Sequence, residues 1–446
     1  MKKSLFTYLY KQKGKFYAVQ TNTRRVFEID EKTYYILNEG KELAELDKET
    51  FKCFVEAEII VPIHIDEVGL LEEGHKMNDN DIEWHSLHII PTEACNFGCE
   101  YCFVLKDKQN AGYERVILDE TLYKGIDFFL DNNPSDQIIV TFYGGEPLLA
   151  PEVIYKSVDY IEGVKGRKIS KKIITNASRV TPRIAEFLAV NEFDVNVSLD
   201  GNKDGHDQFR LYKDGGSTYD DVLQGIKLLQ EAGNSIKILM TVGDFNAKNL
   251  IEHVKSVLEL KPTTIALNLP KALQTTDNQI ERKMDYKQLL AAYIECMDLC
   301  YEKHIPEGHM ADIIYGFLRE ETQYRPCHGC GKQIALSPDG LIGPCQAYLG
   351  TKKYFMPLES FEDKEHLRKT EEFEKWKQIT MYKCEKCRHC YLLPVCPGDC
   401  PYDWENRTGS LLDVPETYCT SRKVMFDYMI GRLVNGKEIL FRPQKA

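Results

Sequence analysis

The stretch CNFGCEYC, Cys95 to Cys102, constrains this chain more than any other. It follows the apolar segment Leu87 to Pro91, which reads as a strand, so its cysteines fall on the loop leaving that strand's carboxyl end. Cys95, Cys99 and Cys102 are separated by three and two residues, a spacing that lets one loop fold three sulfurs around one corner of a metal cluster. A closed zinc site or a fully ligated iron-sulfur cluster takes four protein ligands, whereas three on a cubane leave one iron open. From these residues alone, a CxxC zinc site or a redox pair remains as the alternative.

From Trp84 to about Pro270 the pattern alternates. Strands are expected at Leu87–Pro91, Ile138–Tyr143, Lys172–Thr175, Val195–Leu199, Ile236–Val242 and Thr264–Leu269, with helices at Asp119–Asn132, Pro151–Val164, Pro182–Val190, Tyr219–Ala232 and Asn249–Leu260. Such alternation implies right-handed crossovers and a parallel sheet, either flat and doubly wound or rolled into a partial barrel. In both, reactive loops lie at the carboxyl ends of the strands. Gly144-Gly145-Glu146-Pro147 stands at the second of those ends and Asn176 at the third. At the fourth stand Ser198-Leu199-Asp200-Gly201 and then His206-Asp207-Gln208-Phe209-Arg210. Paired glycines suit a backbone that approaches a ligand closely, and a guanidinium fork suits a carboxylate. A plain turn and a surface ion pair are the structural alternatives for Ser198, Asp200 and Arg210.

Of fifteen cysteines, nine lie between Cys327 and Cys419. Cys330 precedes Cys345 by fourteen intervening residues with Gly340 between them. Then come Cys387, Cys390, Cys396 and Cys400 in a CxxCx5CxxxC arrangement, and last Cys419. A zinc ribbon accounts for one quartet of these and no more. Cys296 and Cys300 share one face of an amphipathic helix, Tyr286 to Tyr301, and with Cys53 read as core residues. No stretch approaches the roughly 20 apolar residues of a membrane helix, and the basic start lacks a cleavage site, so a cytoplasmic protein is expected. In that reducing compartment, clustered cysteines point to metal rather than disulfides. A net charge of −12 argues against a nucleic-acid backbone as main partner.

At 446 residues two to three domains are expected. Residues 1–66 read as a winged-helix-like unit: short strands at Ser4–Tyr10, Lys15–Val19 and Arg25–Glu28, helices at Glu31–Asn38 and Asp47–Glu56, and a strand at Glu58–Ile65. Residues 67–84, acidic and rich in Asn and Asp, read as a linker. The alternating segment occupies 85–272, a helical bridge 273–326, and the cysteine-rich end 327–446.

Together, CxxxCxxC with Tyr101 before its last cysteine, GGEP, SxDG and HDxxR resemble radical S-adenosylmethionine enzymes, and the cysteine pattern of the tail resembles the SPASM domain of those acting on peptides. The resemblance chooses a partial (β/α)6 TIM barrel. It implies three 4Fe-4S clusters, one on Cys95, Cys99 and Cys102, whose open iron is chelated by S-adenosylmethionine. One electron then cleaves the sulfonium, and a 5'-deoxyadenosyl radical takes a hydrogen atom from substrate. Gly144, Gly145, Glu146 and Pro147 would hold the cofactor's amino group, Ser198 its ribose or methionine portion and Arg210 its carboxylate, with Tyr101, Asn176 and Asp200 as further contacts. Cys387, Cys390, Cys396 and Cys419 would hold a distal auxiliary cluster. Cys345 and Cys400 would hold a proximal one with Cys330, Cys327 or both. The short Cys327 to Cys330 spacing departs from the common pattern and leaves an open iron in the proximal cluster as one outcome, and Cys384 is an additional thiol.

The N-terminal unit resembles the recognition element that binds leader peptides by adding a strand to a sheet edge, near Arg25–Ile29 and the second helix. The whole then resembles maturases of the sactipeptide and SCIFF type, which join cysteine sulfur to carbon in a ribosomally made precursor. Such an enzyme draws electrons from a flavodoxin or ferredoxin. A sulfatase-maturating, formylglycine-forming enzyme, a carbon-carbon crosslinking enzyme and, more distantly, a non-catalytic electron-transfer module are the alternatives.

Overall fold

The structure is a computed structural model and describes residues 1–40, 43–76, 84–106, 115–133, 135, 138–243, 246–269, 286–318 and 324–440. The chain forms two compact units. The first draws on Met1–Asp81, Met310–Cys327 and Ile379–Phe441, and the second on Ile82–His309 and His328–Gln378.

In the first unit, β2 (Thr7–Gln12), β3 (Lys15–Gln20) and β4 (Arg25–Ile29) form an antiparallel sheet in that order, while β1 (Lys2–Lys3) pairs with β5 (Ile60–Val61). Two helices follow β4. Glu31–Glu39 is capped by the Asp30 carboxylate and ends at Gly40 with φ 65°, and Lys48–Glu56 is capped by Asp47. Their apolar faces, Ile36, Leu37 and Phe54, share one core with Ala18, Leu9 and Phe27 of the sheet and Ile60 of β5. The expected strand Glu58–Ile65 shrinks to two residues. Glu58 takes φ 60°, and Pro62 has no N–H to continue the ladder. The segment expected to begin a linker at residue 67 instead starts as a helix, Glu67–Lys76, because the Glu67 carboxylate ties it back to the chain's start, accepting from the Leu5 N–H at 3.0 Å and from the Ser4 hydroxyl.

The C-terminal part of this unit covers β2. Tyr8 stacks on Tyr391 with ring centroids 4.5 Å apart, and its hydroxyl donates to Asp427 at 2.6 Å. Of the two edges of the three-stranded sheet, β2 is therefore covered within the unit.

In the second unit all six expected strands are present: β6 (Ser86–Ile89), β7 (Ile138–Phe142), β8 (Ile169–Thr175), β9 (Asp194–Ser198), β10 (Ile236–Thr241) and β11 (Thr264–Asn268). Each lies parallel to its predecessor. A doubly wound sheet reverses its order at a switch point, and this sheet does not, so the order is that of a partial barrel. Alternate residues such as Ile138, Val140 and Phe142 are fully buried, as strands covered by crossover helices require. One addition was not foreseen. β12 (Gln333–Leu336) extends the sheet beyond β6 in parallel, and β13 (Leu341–Gly343) and β14 (Met356–Pro357) continue it antiparallel.

Candidate active site

The loop after β6 carries Cys95, Cys99 and Cys102, and all three border a cavity of about 470 Å³. The loop is held from two sides. Beneath it, the Gly145 N–H donates to the Thr92 carbonyl at 3.1 Å and the Glu146 N–H to the Ala94 carbonyl at 2.8 Å. Beside it, the N–H groups of Gly98 and Glu100 donate to the carbonyls of Leu211 and Phe209, at 2.8 and 3.1 Å. The paired glycines, which line the cavity, answer a further need beyond the one expected. A Cβ on Gly145 would stand 2.0 Å from the Ala94 carbonyl oxygen, and one on Gly144, at φ +141°, would stand 2.6 Å from that of Thr92. It is the backbone of the cysteine loop that requires glycine here.

Glu146 is buried, and three donors aim its carboxylate: the Thr175 hydroxyl at 2.6 Å, the Asn176 N–H at 2.7 Å and the Leu148 N–H at 3.0 Å. Burial pushes its pKa up to about 7, against those donors. An amino cation arriving in the cavity would favour the ionised form. Asn176 Nδ2 in turn donates to Asn96 Oδ1 at 3.0 Å, and Asn96 Nδ2 donates to the Ser178 hydroxyl at 2.8 Å, so the third strand end is bonded to the cysteine loop itself. Neither Asn96 nor Thr175 was singled out from sequence, although each adjoins a residue that was.

Arg210 and Asp200 meet each other. Arg210 Nε donates to Asp200 Oδ2 at 2.8 Å and Nη2 to Oδ1 at 3.2 Å, while the Thr241 N–H donates to Oδ1 at 2.8 Å and the Tyr101 hydroxyl to Oδ2. The guanidinium lies 5.2 Å from the Tyr101 ring centre. The resemblance turned Arg210 toward a cofactor carboxylate. In the structure its Nε and Nη2 are engaged by a protein carboxylate, and the side chain borders the cavity. Tyr101, Ser198 and Arg210 border the cavity, as do Gly144, Gly145, Glu146 and Asn176, whereas Asp200 is fully buried and, like Pro147, is not part of the wall.

His206 and Asp207 support this loop. His206 Nδ1 accepts from the Asp200 N–H at 3.3 Å, its Nε2 meets the Thr218 hydroxyl at 3.0 Å, and burial lowers its pKa to about 4, so it is neutral. Asp207 accepts from the N–H groups of Thr218 and Tyr219 at the start of helix Tyr219–Glu231.

By chemistry the donor set suits an iron-sulfur cluster with an open position, although among the described residues no three Cys, His, Asp or Glu side chains are already drawn together around a single ion. Three soft thiols share one cavity, and among the described residues no fourth cysteine and no histidine lines it. Burial raises Cys95 and Cys99 to about 12, so the bare thiols stay protonated, and a bound metal would deprotonate them.

In the first unit a second cavity, of about 270 Å³, is bordered by Cys387, Cys390, Cys396 and Cys419, the four thiols grouped as the distal set. Burial raises Cys396 to about 12 and Cys419 to about 11. Cys384 is fully buried and does not border this cavity; its thiol donates to the Thr380 carbonyl at 3.5 Å, and its own carbonyl accepts from the Cys387 N–H at 3.0 Å. The proximal set divides: Cys330 and Cys345 belong to the second unit, Cys327 and Cys400 to the first. Cys296 and Cys300 are buried in helix Tyr286–Glu302, as expected of core residues, whereas Cys53, read the same way, is exposed, because helix Lys48–Glu56 turns Phe54 and not Cys53 into the core.

Residues 89–257 match the family model described as the Radical SAM superfamily. The chain is 22% identical to the "Radical SAM cyclopropyl synthase TigE" of Paramaledivibacter caminithermalis, over 87% of this chain and 83% of that one. It is 25% identical to the "Cysteine-type anaerobic sulfatase-maturating enzyme" of Clostridium perfringens, over 78% of this chain and 97% of that one. Its fold is like that of Streptococcus suis SuiB, whose structures hold S-adenosylmethionine or precursor peptide SuiA; the TM-score is 0.57 at 18% identity, covering 94% of this chain and 100% of that one. No described helix is long and apolar enough to cross a membrane.

Proposed function

We propose that this chain is a radical S-adenosylmethionine maturase that joins a cysteine sulfur to carbon in a ribosomally made precursor peptide. The observation that carries the reading is the shared cavity: three thiols with no fourth cysteine and no histidine beside them among the described residues, and a carboxylate on the same wall already aimed by three donors. Cys95, Cys99 and Cys102 would hold the cluster, Glu146 the amino group of the cofactor, and Ser198 and Asn176 its remaining polar groups. When bound, the pair supplies one electron to the sulfonium and a carbon radical able to take a hydrogen atom from a peptide. The Asp200, Arg210 and Tyr101 assembly fixes the cysteine loop against the fourth strand end. The apolar wall, Leu239 and Leu269 among it, limits water at the reacting carbon.

Two auxiliary clusters would accept the surplus electron, the distal one on Cys387, Cys390, Cys396 and Cys419 and the proximal one on Cys345 and Cys400 with Cys330, Cys327 or both. A flavodoxin or ferredoxin type of protein would supply the reducing electron. The leader of the precursor would add to β4, because β2 is covered by Tyr391 and its neighbours whereas β4 pairs only with β3 among the described strands.

The similarity to a sulfatase-maturating enzyme favours a second reading, oxidation of one cysteine to an aldehyde. Mass spectrometry separates the two. With a synthetic copy of the short cysteine-rich reading frame expected beside the gene, each thioether removes two hydrogens and keeps the sulfur, whereas aldehyde formation expels it. A peptide of unchanged mass, after confirmed release of 5'-deoxyadenosine, would reject both.

The distal set has its own test. Metal-binding free energy is folding free energy in a loop-rich segment, so Cys396→Ala should cost about one cluster's worth of iron and lower the melting temperature. Iron analysis at wild-type level in that variant would remove the assignment.

A further inference from the structure

Of the two side-chain amides on the cavity wall that the proposed cofactor site does not use, Asn268 is engaged by the Ala266 carbonyl at 3.4 Å and by His309 Nε2 at 3.1 Å, and Gln346 is the other one lining the cavity. Gln346 reaches it from the turn after β13, directly following Cys345. That turn is seated against the cysteine loop, since Leu349 packs on Ile90 and Val104, with Cys102 and Phe103 alongside.

The orientation of the Gln346 amide follows from its neighbour. Gln333 Nε2 donates to the Pro344 carbonyl at 3.1 Å, and a carbonyl oxygen only accepts, so Gln333 must present its NH2 group there. The second hydrogen of that group goes to Gln346 Oε1 at 2.9 Å. Gln346 Oε1 is thereby fixed toward Gln333, and its own NH2 group is left with no acceptor among the described residues. Buried Gln333 thus holds a two-hydrogen donor in place at the border of a mainly apolar cavity.

We propose that Gln346 is a substrate-binding residue whose amide N–H groups take a main-chain carbonyl of the peptide, holding the acceptor residue beside the cofactor. This rests on the peptide-maturase reading. The candidate cofactor contacts come from the ends of β7, β8 and β9. Gln346 comes from the turn after β13, which supplies none of those contacts. Glu146 and Arg210 are the charged side chains of the wall, and both are already engaged by protein groups, so the acceptor residue held there is an uncharged one.

The test compares the reconstituted enzyme with Gln346→Met, which keeps length and volume and removes the donor. Iron content and 5'-deoxyadenosine release without peptide report the cofactor site. With the synthetic precursor peptide, the variant should raise KM, and the ratio of 5'-deoxyadenosine to crosslink, about tenfold, the size expected when a buried carbonyl loses its partner. If Gln346→Met loses iron, Gln346→Glu, which keeps the acceptor for Gln333 and loses the donor, is read in the same way. Wild-type KM and wild-type coupling in a variant that retains its iron would overturn the assignment. Failure of the wild-type enzyme to release 5'-deoxyadenosine at all would instead count against the maturase reading.

Discussion

Gly145→Ala should cut 5'-deoxyadenosine formation at least about a hundredfold, although it adds only one methyl group and touches no proposed ligand. The methyl would stand 2.0 Å from the Ala94 carbonyl oxygen, 2.4 Å from its carbon and 2.7 Å from the Glu93 carbonyl oxygen, all of them backbone. No flexible side chain can move aside, so the strand end and the cysteine loop must separate by about an ångström. A displacement of that size at a reacting centre typically costs about a hundredfold in rate. The shift also breaks the Gly145 and Glu146 N–H bonds to residues 92 and 94, one residue before the first cysteine. Gly74→Ala, in helix Glu67–Lys76 where an added Cβ meets nothing within 4 Å, is the control and should be silent. Wild-type cofactor cleavage by Gly145→Ala would mean that the loop tolerates a gap beneath it, and the account of the paired glycines would fail.

That example shows what the residues alone disclosed and what they did not. The glycines, the glutamate after them and the three cysteines were legible because each is rare at its spacing and because the alternating apolar pattern put them all at strand ends. The reason for the glycines was not, since a close approach between two loops about fifty residues apart leaves no local mark. The six strands of the barrel were found to within three residues, since buried parallel strands read as short apolar runs between helices. β12 escaped because Gln-Ile-Ala-Leu is four residues long and lies among cysteines whose spacing drew all the attention. Cys387, Cys390, Cys396 and Cys419 were grouped only through resemblance, and the structure puts all four on one cavity wall. Gln346 carried no signal, because its significance depends on the orientation of Gln333 thirteen residues earlier.

The pairing of Arg210 with Asp200 likewise escaped the sequence, and the largest stability effect is expected there. Asp200 is fully buried, and Arg210 is its only cationic partner among the described residues. In Arg210→Met the carboxylate keeps the Thr241 N–H and the Tyr101 hydroxyl but loses the compensating charge, a situation that typically costs about 3–5 kcal/mol. Arg210→Met/Asp200→Asn should recover much of that loss, because the stranded charge is gone and the amide can still accept from Thr241. Urea unfolding of the metal-free proteins measures both. The rescued variant would still be impaired in metal uptake: burial raises the Cys99 thiol to about 12, and the Arg210 guanidinium is the nearby charge that opposes this rise. Without it the thiol is harder to deprotonate, so reconstitution at neutral pH should be slower in Arg210→Met and should recover at higher pH, where thiolate forms more readily; the double variant also loses the Asp200 charge, which raises the same thiol, and should fall between wild type and Arg210→Met. Equal unfolding midpoints for the single and double variants would show that Asp200 is not stranded when Arg210 is removed, and that the cysteine loop is anchored to the fourth strand end by something other than this ion pair.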